Sequence, residues 1–179
     1  MIPADSPARA YIGLGSNLDD PISQVRAGVG LLGGLSGTHV LRCSSFYRSA
    51  PVGLTAQPDF INAICELSTA LDPSALMQAL LGIESKRGRV RDVPGGPRTL
   101  DLDLILYLSA QGEVIHRQEP GLTLPHARLH ERAFVLYPLC EIAPDLDIPG
   151  RGRARDLLAG CAGQGIEKLA LPYNNPVTR

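Results

Sequence analysis

The stretch Gly96–Tyr107, GPRTLDLDLILY, constrains the fold of this chain more than any other. Its residues alternate between two faces, which predicts a β-strand. One face carries Leu100, Leu102, Leu104 and Leu106, and the other carries Asp101, Asp103, Ile105 and Tyr107. Alternate residues of a strand lie about 6.6 Å apart on one face. Two carboxylates at that spacing beside apolar neighbours require a cation between them, or a proton on one of them.

The residues before this strand decide between two interpretations of the aspartates. An isolated D-x-D is most often the polar face of an amphipathic strand in water. Here a basic cluster precedes it, formed by Lys86, Arg87, Arg89, Arg91 and Arg98, with Asp92 as the one acidic interruption. Carboxylates that can hold divalent cations, next to several guanidinium groups, are typical of phosphoryl-transfer sites. The sequence therefore favours metal-assisted chemistry on a phosphate.

Length and composition bound the class of protein. With 179 residues and a net charge of −1, we expect a single domain over 1–179, with a flexible start at 1–8 and no global attraction to nucleic acid or membrane. No apolar run reaches the roughly 18–20 residues that span a bilayer, and no signal pattern opens the chain. Four scattered cysteines without a C-x-x-C predict reduced thiols in a cytoplasmic protein.

The order of predicted elements indicates the fold. Strands are predicted at Ala10–Leu14, Val40–Ser49 and Phe60–Leu71, and the aspartate strand follows. Asp20-Pro21 and Asp72-Pro73 each combine an N-cap with a first-turn proline, which predicts two helices between these strands. Two strand–helix–strand units joined by a hairpin predict a ferredoxin-like α+β sandwich with an antiparallel central sheet. Its helices would cover one face and leave the other open to a ligand. The hairpin argues against the alternative, a doubly wound parallel sheet.

Further elements are predicted beyond the aspartate strand. They are a turn at Ser109–Glu113, an irregular segment from Val114 to Pro125, a helix over Glu131–Ile142 interrupted by Pro138, and a shorter helix over Arg153–Cys161. They add C-terminal elements to the sandwich.

Two local motifs suggest functions that their surroundings do not support. Gly13-Leu14-Gly15-Ser16-Asn17 lacks the glycine spacing of phosphate and dinucleotide loops, and indicates a tight turn near Asn17. His126 and His130 have the spacing of helical zinc ligands, but no third ligand follows. His126 is better explained as a hydrogen-bond donor near phosphate, with Arg132 as a second clamp.

Several stretches together resemble one family, 6-hydroxymethyl-7,8-dihydropterin pyrophosphokinase of folate biosynthesis. They occur in the family's order over about residues 10–150: YIGLGSNL, SFYR, QPDFINA, RVR, GPRTLDLD, PH, RAF and PLCEIAP. The resemblance implies transfer of a diphosphate from ATP to the hydroxymethyl group of the pterin, with release of AMP. It also implies a three-layer αβα fold on a ferredoxin-like core.

The resemblance assigns residues to each ligand. Asp101 and Asp103 would hold two magnesium ions, and form the catalytic set with Arg89 and Arg98. ATP would be bound by Glu84, Arg89, Arg91, Arg98, His126 and Arg132. The pterin would be bound by Ser49, Ala50, Val52, Phe60, Asn62 and Phe134. Asn62 would read the pterin edge because its amide offers both a donor and an acceptor.

The chain departs from the family at Asp92, where a basic residue is common, and at Gly95, where some members carry tryptophan. These changes put one phosphate contact and one contact to the pterin ring in question. The loop Arg89–Arg98 has only Val90 and Val93 to anchor it, which predicts a lid that ATP and magnesium order.

The partners expected from the sequence are ATP and the pterin, with the protein a monomer. A rival interpretation is a module that binds single-stranded RNA on its sheet, which an aromatic content of 4% supports poorly. Another is an inactive scaffold, which the intact Asp101 and Asp103 disfavour.

Overall fold

The fold is built on an antiparallel sheet of two strand–helix–strand halves. The computed structural model describes residues 7–91 and 93–170. In chain order the first elements are β1 (Ala8–Ser16), α1 (Pro21–Gly33), β2 (Thr38–Cys43), β3 (Tyr47–Ser49), β4 (Phe60–Thr69), α2 (Pro73–Lys86) and β5 (Asp101–Leu108). The later ones are β6 (Arg117–Glu119), β7 (Leu122–Leu124), α3 (Ala133–Ile142), β8 (Asp147–Ile148), β9 (Gly152–Arg153) and β10 (Ile166–Lys168), with 3₁₀ helices at Leu129–Glu131 and Ala154–Cys161.

The central sheet has the strand order β10-β3-β4-β1-β5, with β2 also paired to β4. Every pairing in it is antiparallel, which confirms the predicted ferredoxin-like α+β class. The single strand predicted at Val40–Ser49 is wrong, because it divides into β2 and β3. At the break the Ser44 N–H donates to the Ile64 carbonyl at 2.8 Å, and the Ser44 hydroxyl accepts from the Ile64 N–H at 3.0 Å.

Both predicted helix starts are confirmed. The Asp20 carboxylate accepts from the Ser23 N–H at 3.4 Å, and that of Asp72 accepts from the Ala75 N–H at 2.9 Å, so each fills one of the donors left open in a first helical turn. Gly28 has a packing role in α1, since a Cβ there would lie 3.0 Å from Leu14. No described helix is long and apolar enough to cross a bilayer.

Helices pack on both faces of the sheet. One core joins α1 and α2 to leucines of β1 and β5, and a second core joins α3 to Tyr11, Ile64 and Ile105. The expectation from strand order that one face stays open is therefore wrong, because α3 covers part of it. The three-layer arrangement implied by the resemblance is the one observed.

The strict alternation predicted for β5 fails after Ile105. Tyr11 pairs with Leu106 and Ile12 pairs with Leu104, so Ile105 lies in a bulge. Beyond it Leu106 packs with α3, and Tyr107 packs on the side of α1 and α2. The Ile105 carbonyl accepts a hydrogen bond from the His126 N–H at 2.8 Å. The bulge thus attaches the segment of His126 to the aspartate strand.

The segment after β5 is more ordered than predicted. A turn does follow at Ser109–Glu113, where the Ser109 N–H donates to the Glu113 carbonyl at 2.8 Å. The segment to Pro125, predicted as irregular, contains the hairpin β6–β7. The helix predicted from Glu131 begins at Ala133 and contains Pro138, and the short helix near Arg153–Cys161 is a 3₁₀ helix.

The prediction of four reduced cysteines is wrong for one pair. Cys43 of β2 and Cys65 of β4 are directly opposed in the sheet and form a disulfide. They are 22 residues apart in sequence, so only the strand register brings them together. Cys140 and Cys161 are free thiols, and burial raises the pKa of both, that of Cys140 to about 11.

Candidate active site

All the residues predicted to bind ATP, metal or pterin line one cavity of about 550 Å³. It lies where β1, β4 and β5 face the start of α3 and the loops at 50–59 and 89–98. Gly13 and Gly15 also line it. Contrary to the predicted tight turn, both belong to β1, and a Cβ on Gly15 would lie 3.4 Å from Asn62 Oδ1.

Asp101 lies between two guanidinium groups. Its Oδ1 pairs with Arg89, and its Oδ2 accepts from Arg98 Nη1 at 2.7 Å. Burial lowers the pKa of both arginines, and the charge of Asp103 opposes this effect in each. Arg98 Nε is buried and has no hydrogen-bond partner among the described residues. This wall therefore concentrates positive charge around two carboxylates.

Glu84 anchors the start of the basic loop from within the fold. Its side chain is only 3% exposed, and its Oε1 accepts from the Leu102 N–H at 2.8 Å and from Arg89 at 2.9 Å. Its Oε2 accepts from Arg91 at 2.6 Å. One buried carboxylate thus joins α2, β5 and the loop. The contact with nucleotide implied by the resemblance stays a prediction, since both oxygens hold arginines here.

His126 presents one ring nitrogen to the protein. Its Nδ1 accepts a hydrogen bond from the Arg128 N–H at 3.1 Å, so the proton of the neutral ring is on Nε2. Burial lowers the pKa of His126, against the opposite effect of Asp103 and reinforced by Arg132 and Arg128. The neutral ring is therefore favoured near pH 7. It lines the cavity as a hydrogen-bond donor, while the Asp103 side chain accepts no hydrogen bond from the described residues.

The opposite wall is less charged. The Asn62 side chain is buried, and its Nδ2 donates to Ser49 Oγ at 2.8 Å and to the Tyr47 carbonyl at 3.4 Å. Its Oδ1 accepts nothing from the described residues. Phe60 and Phe134 each stack with a cation, Arg98 at 5.0 Å and Arg132 at 5.4 Å from the ring centroids. These stacked pairs join the two walls.

Sequence reasoning missed the network around Asn17. The Asn17 side chain donates from Nδ2 to Gln57 Oε1 at 3.0 Å and to the Pro58 carbonyl at 2.9 Å. Gln57 Nε2 in turn donates to the Gly95 carbonyl at 2.9 Å. The network joins the loop at 50–59 to the loop at 89–98. The signal available was the presence of Asn17 and Gln57 inside two of the motifs that carry the resemblance.

Arg128 is a further cavity-lining cation that the motifs did not indicate. It pairs with Glu131 at 3.1 Å on the surface. Gly95, one of the departures from the family, lines the cavity with a positive φ of 70°. The other departure, Asp92, lies outside the described residues.

Comparison with known proteins decides the family. The model of the family 7,8-dihydro-6-hydroxymethylpterin-pyrophosphokinase (HPPK) matches residues 11–144. The chain belongs to the HPPK family. It is 44% identical over 161 residues to the 2-amino-4-hydroxy-6-hydroxymethyldihydropteridine pyrophosphokinase of Pseudomonas aeruginosa, covering 90% of this chain and 96% of that one. The enzyme of the same name from Haemophilus influenzae is 44% identical over 160 residues, covering 89% and 97%.

Solved structures show the same fold. An HPPK-DHPS crystallised in complex with substrates superposes with a TM-score of 0.64 at 11% identity, over 86% of this chain and 43% of that one. The Plasmodium falciparum HPPK-DHPS A437G with SDX-DHP gives a TM-score of 0.62 at 14% identity, over 88% and 46%. The chain thus spans less than half the length of these structures, and the likeness supports the ferredoxin-like architecture alone.

Proposed function

We propose that the cavity is where this chain carries out the reaction of its family. The chain is a pyrophosphokinase of folate biosynthesis, which transfers diphosphate from ATP to 6-hydroxymethyl-7,8-dihydropterin. The observation that carries the assignment of residues is the division of one cavity into two walls. One wall holds Asp101, Asp103 and the arginines, and the other holds Asn62 with Ser49.

The charged wall would bind the triphosphate of ATP. Arg89 and Arg98 hold Asp101 in the structure, so an arriving phosphate competes with this carboxylate for the same guanidinium donors. The buried, unpartnered Nε of Arg98 offers a further donor. The Arg132 guanidinium and the Nε2–H of His126 would donate further hydrogen bonds to the phosphates. These donors would stabilise the negative charge that develops on the departing AMP.

Asp101 and Asp103 fit magnesium by their donor chemistry, because hard carboxylate oxygens that line a cavity beside phosphate-binding cations suit it. No group of three or more His, Cys, Asp or Glu among the described residues could hold a metal ion alone. We therefore propose that two magnesium ions are held jointly by these aspartates and the phosphates. When bound, magnesium supplies charge neutralisation and orientation of the phosphate.

The neutral wall would bind the pterin. Asn62 Oδ1 is open to a donor of the pterin edge, while Ser49 fixes the amide orientation through its 2.8 Å hydrogen bond. Phe60 and Phe134 would contact the ring, with Ala50 and Val52 beside them. The rings stack on Arg98 and Arg132, so pterin and phosphate would be positioned by the same side chains.

Several broader expectations remain proposals. We propose that the chain is a single domain, which the two cores on opposite faces of one sheet support. We also propose that its partners are small molecules and not nucleic acid. We further propose a monomer that works in the cytoplasm, where its co-substrate ATP is available.

The deciding experiment identifies the nucleotide product. The protein is mixed with ATP, magnesium and the pterin alcohol, and the products are separated by ion-exchange chromatography. Attack of the hydroxymethyl oxygen on the β-phosphorus forms a new P–O bond and breaks the bond between the α- and β-phosphates, so we expect one AMP per pterin diphosphate. Stoichiometric ADP would overturn diphosphate transfer and leave an ordinary phosphotransferase.

A further inference from the structure

Gln164, in the C-terminal segment, hydrogen-bonds the chain on both sides of Arg132. Its Oε1 accepts from the Ala133 N–H at 2.9 Å, and its Nε2 donates to the Glu131 carbonyl at 2.7 Å. A single amide therefore holds the backbone immediately before and immediately after a side chain of the charged wall.

The contact with Ala133 caps α3 from a distance. This helix begins at Ala133, and Arg132 at its N-cap makes no side-chain hydrogen bond to the helix. The first N–H groups of a helix have no partner within it and require one from elsewhere. Gln164 supplies that acceptor although it is 31 residues away in sequence.

The same C-terminal segment also contacts the neutral wall, where the pterin would bind. Two residues after Gln164, Ile166 begins β10 and pairs with Ser49 of β3. The Leu169 N–H extends this contact by donating to the Phe46 carbonyl at 2.8 Å. A crevice of about 260 Å³, lined by Ser49, Phe134 and Gln164 among others, lies between the two attachments.

We propose that Gln164 is a positioning residue for both substrates, acting through Arg132 and Phe134. This inference rests on the proposed function. The Arg132 guanidinium lies 5.4 Å from the Phe134 ring centroid, so the two side chains form one unit at the start of α3. By fixing Glu131 and Ala133, Gln164 sets the direction in which this unit enters the cavity. Gln164 itself is exposed and adds little to the core.

The test compares Gln164→Ala and Gln164→Glu with the wild type. Gln111→Ala is the matched control, because Gln111 is exposed and its side chain makes no hydrogen bond to the described residues. Calorimetric titration measures the Kd of a non-hydrolysable ATP analogue with magnesium, and then that of the pterin alcohol in the presence of the analogue. Amide hydrogen exchange at Ala133 reports the cap directly.

For Gln164→Ala we expect each Kd to rise by about two- to tenfold, corresponding to one or two hydrogen bonds. Exchange at Ala133 should become faster, while the binding stoichiometry stays near that of the wild type and the Tm falls by a few degrees at most. Gln164→Glu keeps an acceptor for the Ala133 N–H and loses the donor to the Glu131 carbonyl. Its Kd values should therefore lie between those of the wild type and those of Gln164→Ala. Gln111→Ala should match the wild type.

Unchanged Kd values in Gln164→Ala would overturn the proposal. A lower Tm and a lower binding stoichiometry with unchanged Kd values would also overturn it, because these changes would show that Gln164 only stabilises the fold. A failure of the proposed function is separate, since the wild type itself would then fail to form AMP. In that case exchange at Ala133 and the Kd for the ATP analogue still test whether Gln164 positions Arg132.

Discussion

Asn17 exchanges two hydrogen bonds with Arg98, which lines the cavity. The Arg98 N–H donates to Asn17 Oδ1 at 2.9 Å, and the Asn17 N–H donates to the Arg98 carbonyl at 3.1 Å. The end of β1 is thereby fixed to the residue that pairs with Asp101 at 2.7 Å. The position of Arg98, which we propose binds phosphate, thus depends on an asparagine 81 residues earlier in the chain.

Asn17→Ala should weaken both the fold and the site. The substitution leaves the partly buried Arg98 N–H and Pro58 carbonyl without their partner, which should lower the free energy of unfolding by about 1–3 kcal/mol. ATP affinity should fall as Arg98 loses its fixed position. Urea denaturation and titration with an ATP analogue measure the two effects.

Gln57→Ala is the control that breaks the link to Gly95 and leaves the Asn17–Arg98 pair intact. Equal ATP affinity in the wild type and Asn17→Ala would contradict the prediction.

Asp101→Ala and Asp103→Ala should each abolish turnover while the protein stays folded. Each removes a proposed magnesium ligand and no core contact. The stability of the two variants without ATP should differ, because the Asp101 side chain pairs with Arg89 and Arg98 whereas that of Asp103 accepts no hydrogen bond from the described residues. AMP formation and circular dichroism are measured together, and removal of magnesium with a chelator should reproduce the loss reversibly. Near-normal turnover in both variants would refute the metal assignment.

The fold was predictable where its signals are local. Asp20 and Asp72 identify helix starts because an N-cap needs only the next three residues. The bulge at Ile105 could not be predicted, since it depends on the pairing of β5 with β1 and on the contact with His126. The Cys43–Cys65 disulfide likewise depends on the register of β2 against β4.

The residues of the site likewise divide into those that local sequence could predict and those that depend on the fold. Residues whose side chains we propose to carry the chemistry, such as Asp101 and Asn62, lie in motifs with a recognisable spacing. Asn17 and Gln164 act through backbone groups that are 81 and 31 residues away. Asn17 lies inside a family motif and Gln164 does not, but neither residue type nor periodicity indicates what either side chain holds until the fold brings their partners close.

Asn62→Ala should weaken pterin binding by about 1–3 kcal/mol and leave ATP binding nearly unchanged, since it removes the amide that the pterin edge would meet. Calorimetric titration of each ligand measures the effect. Ser49→Ala is the matched control, because it breaks the 2.8 Å hydrogen bond to Asn62 Nδ2 and keeps the amide. Its effect on pterin binding should be smaller. Equal losses for ATP and pterin in Asn62→Ala would show that Asn62 is structural.

Glu141→Gln should change how stability depends on pH. Burial alone would raise the pKa of Glu141, but hydrogen bonds from Tyr47 at 2.6 Å and from Ser45 outweigh it, and the pKa is lowered from 4.5. A lowered carboxylate pKa stabilises the fold above the unfolded-state value, and this contribution is lost as the pH falls through the folded-state value. The wild type should therefore exceed the variant in stability at pH 7, by a margin that shrinks below about pH 4.5. Urea denaturation between pH 3 and 7 measures the margin, and a constant difference would exclude the charge as its cause.

The loop Arg89–Arg98 should be a lid that ATP and magnesium order. Its two ends are fixed, by the pairing of Arg89 with Glu84 at 2.9 Å and by the Asn17–Arg98 pair. Between them Val90 and Val93 are 63% and 58% exposed, so neither side chain anchors the described part of the loop to the core. Polar contacts hold it instead, from Arg91 to Glu84 and from Gln57 to the Gly95 carbonyl. Amide hydrogen exchange over residues 89–91 and 93–97, with and without a non-hydrolysable ATP analogue, should therefore show protection that rises most in the middle. Arg89→Ala should lower turnover more than ATP affinity, because closure of the proposed lid would bring its guanidinium from Asp101 to the phosphates. High protection without nucleotide, equal to that with it, would establish a fixed loop.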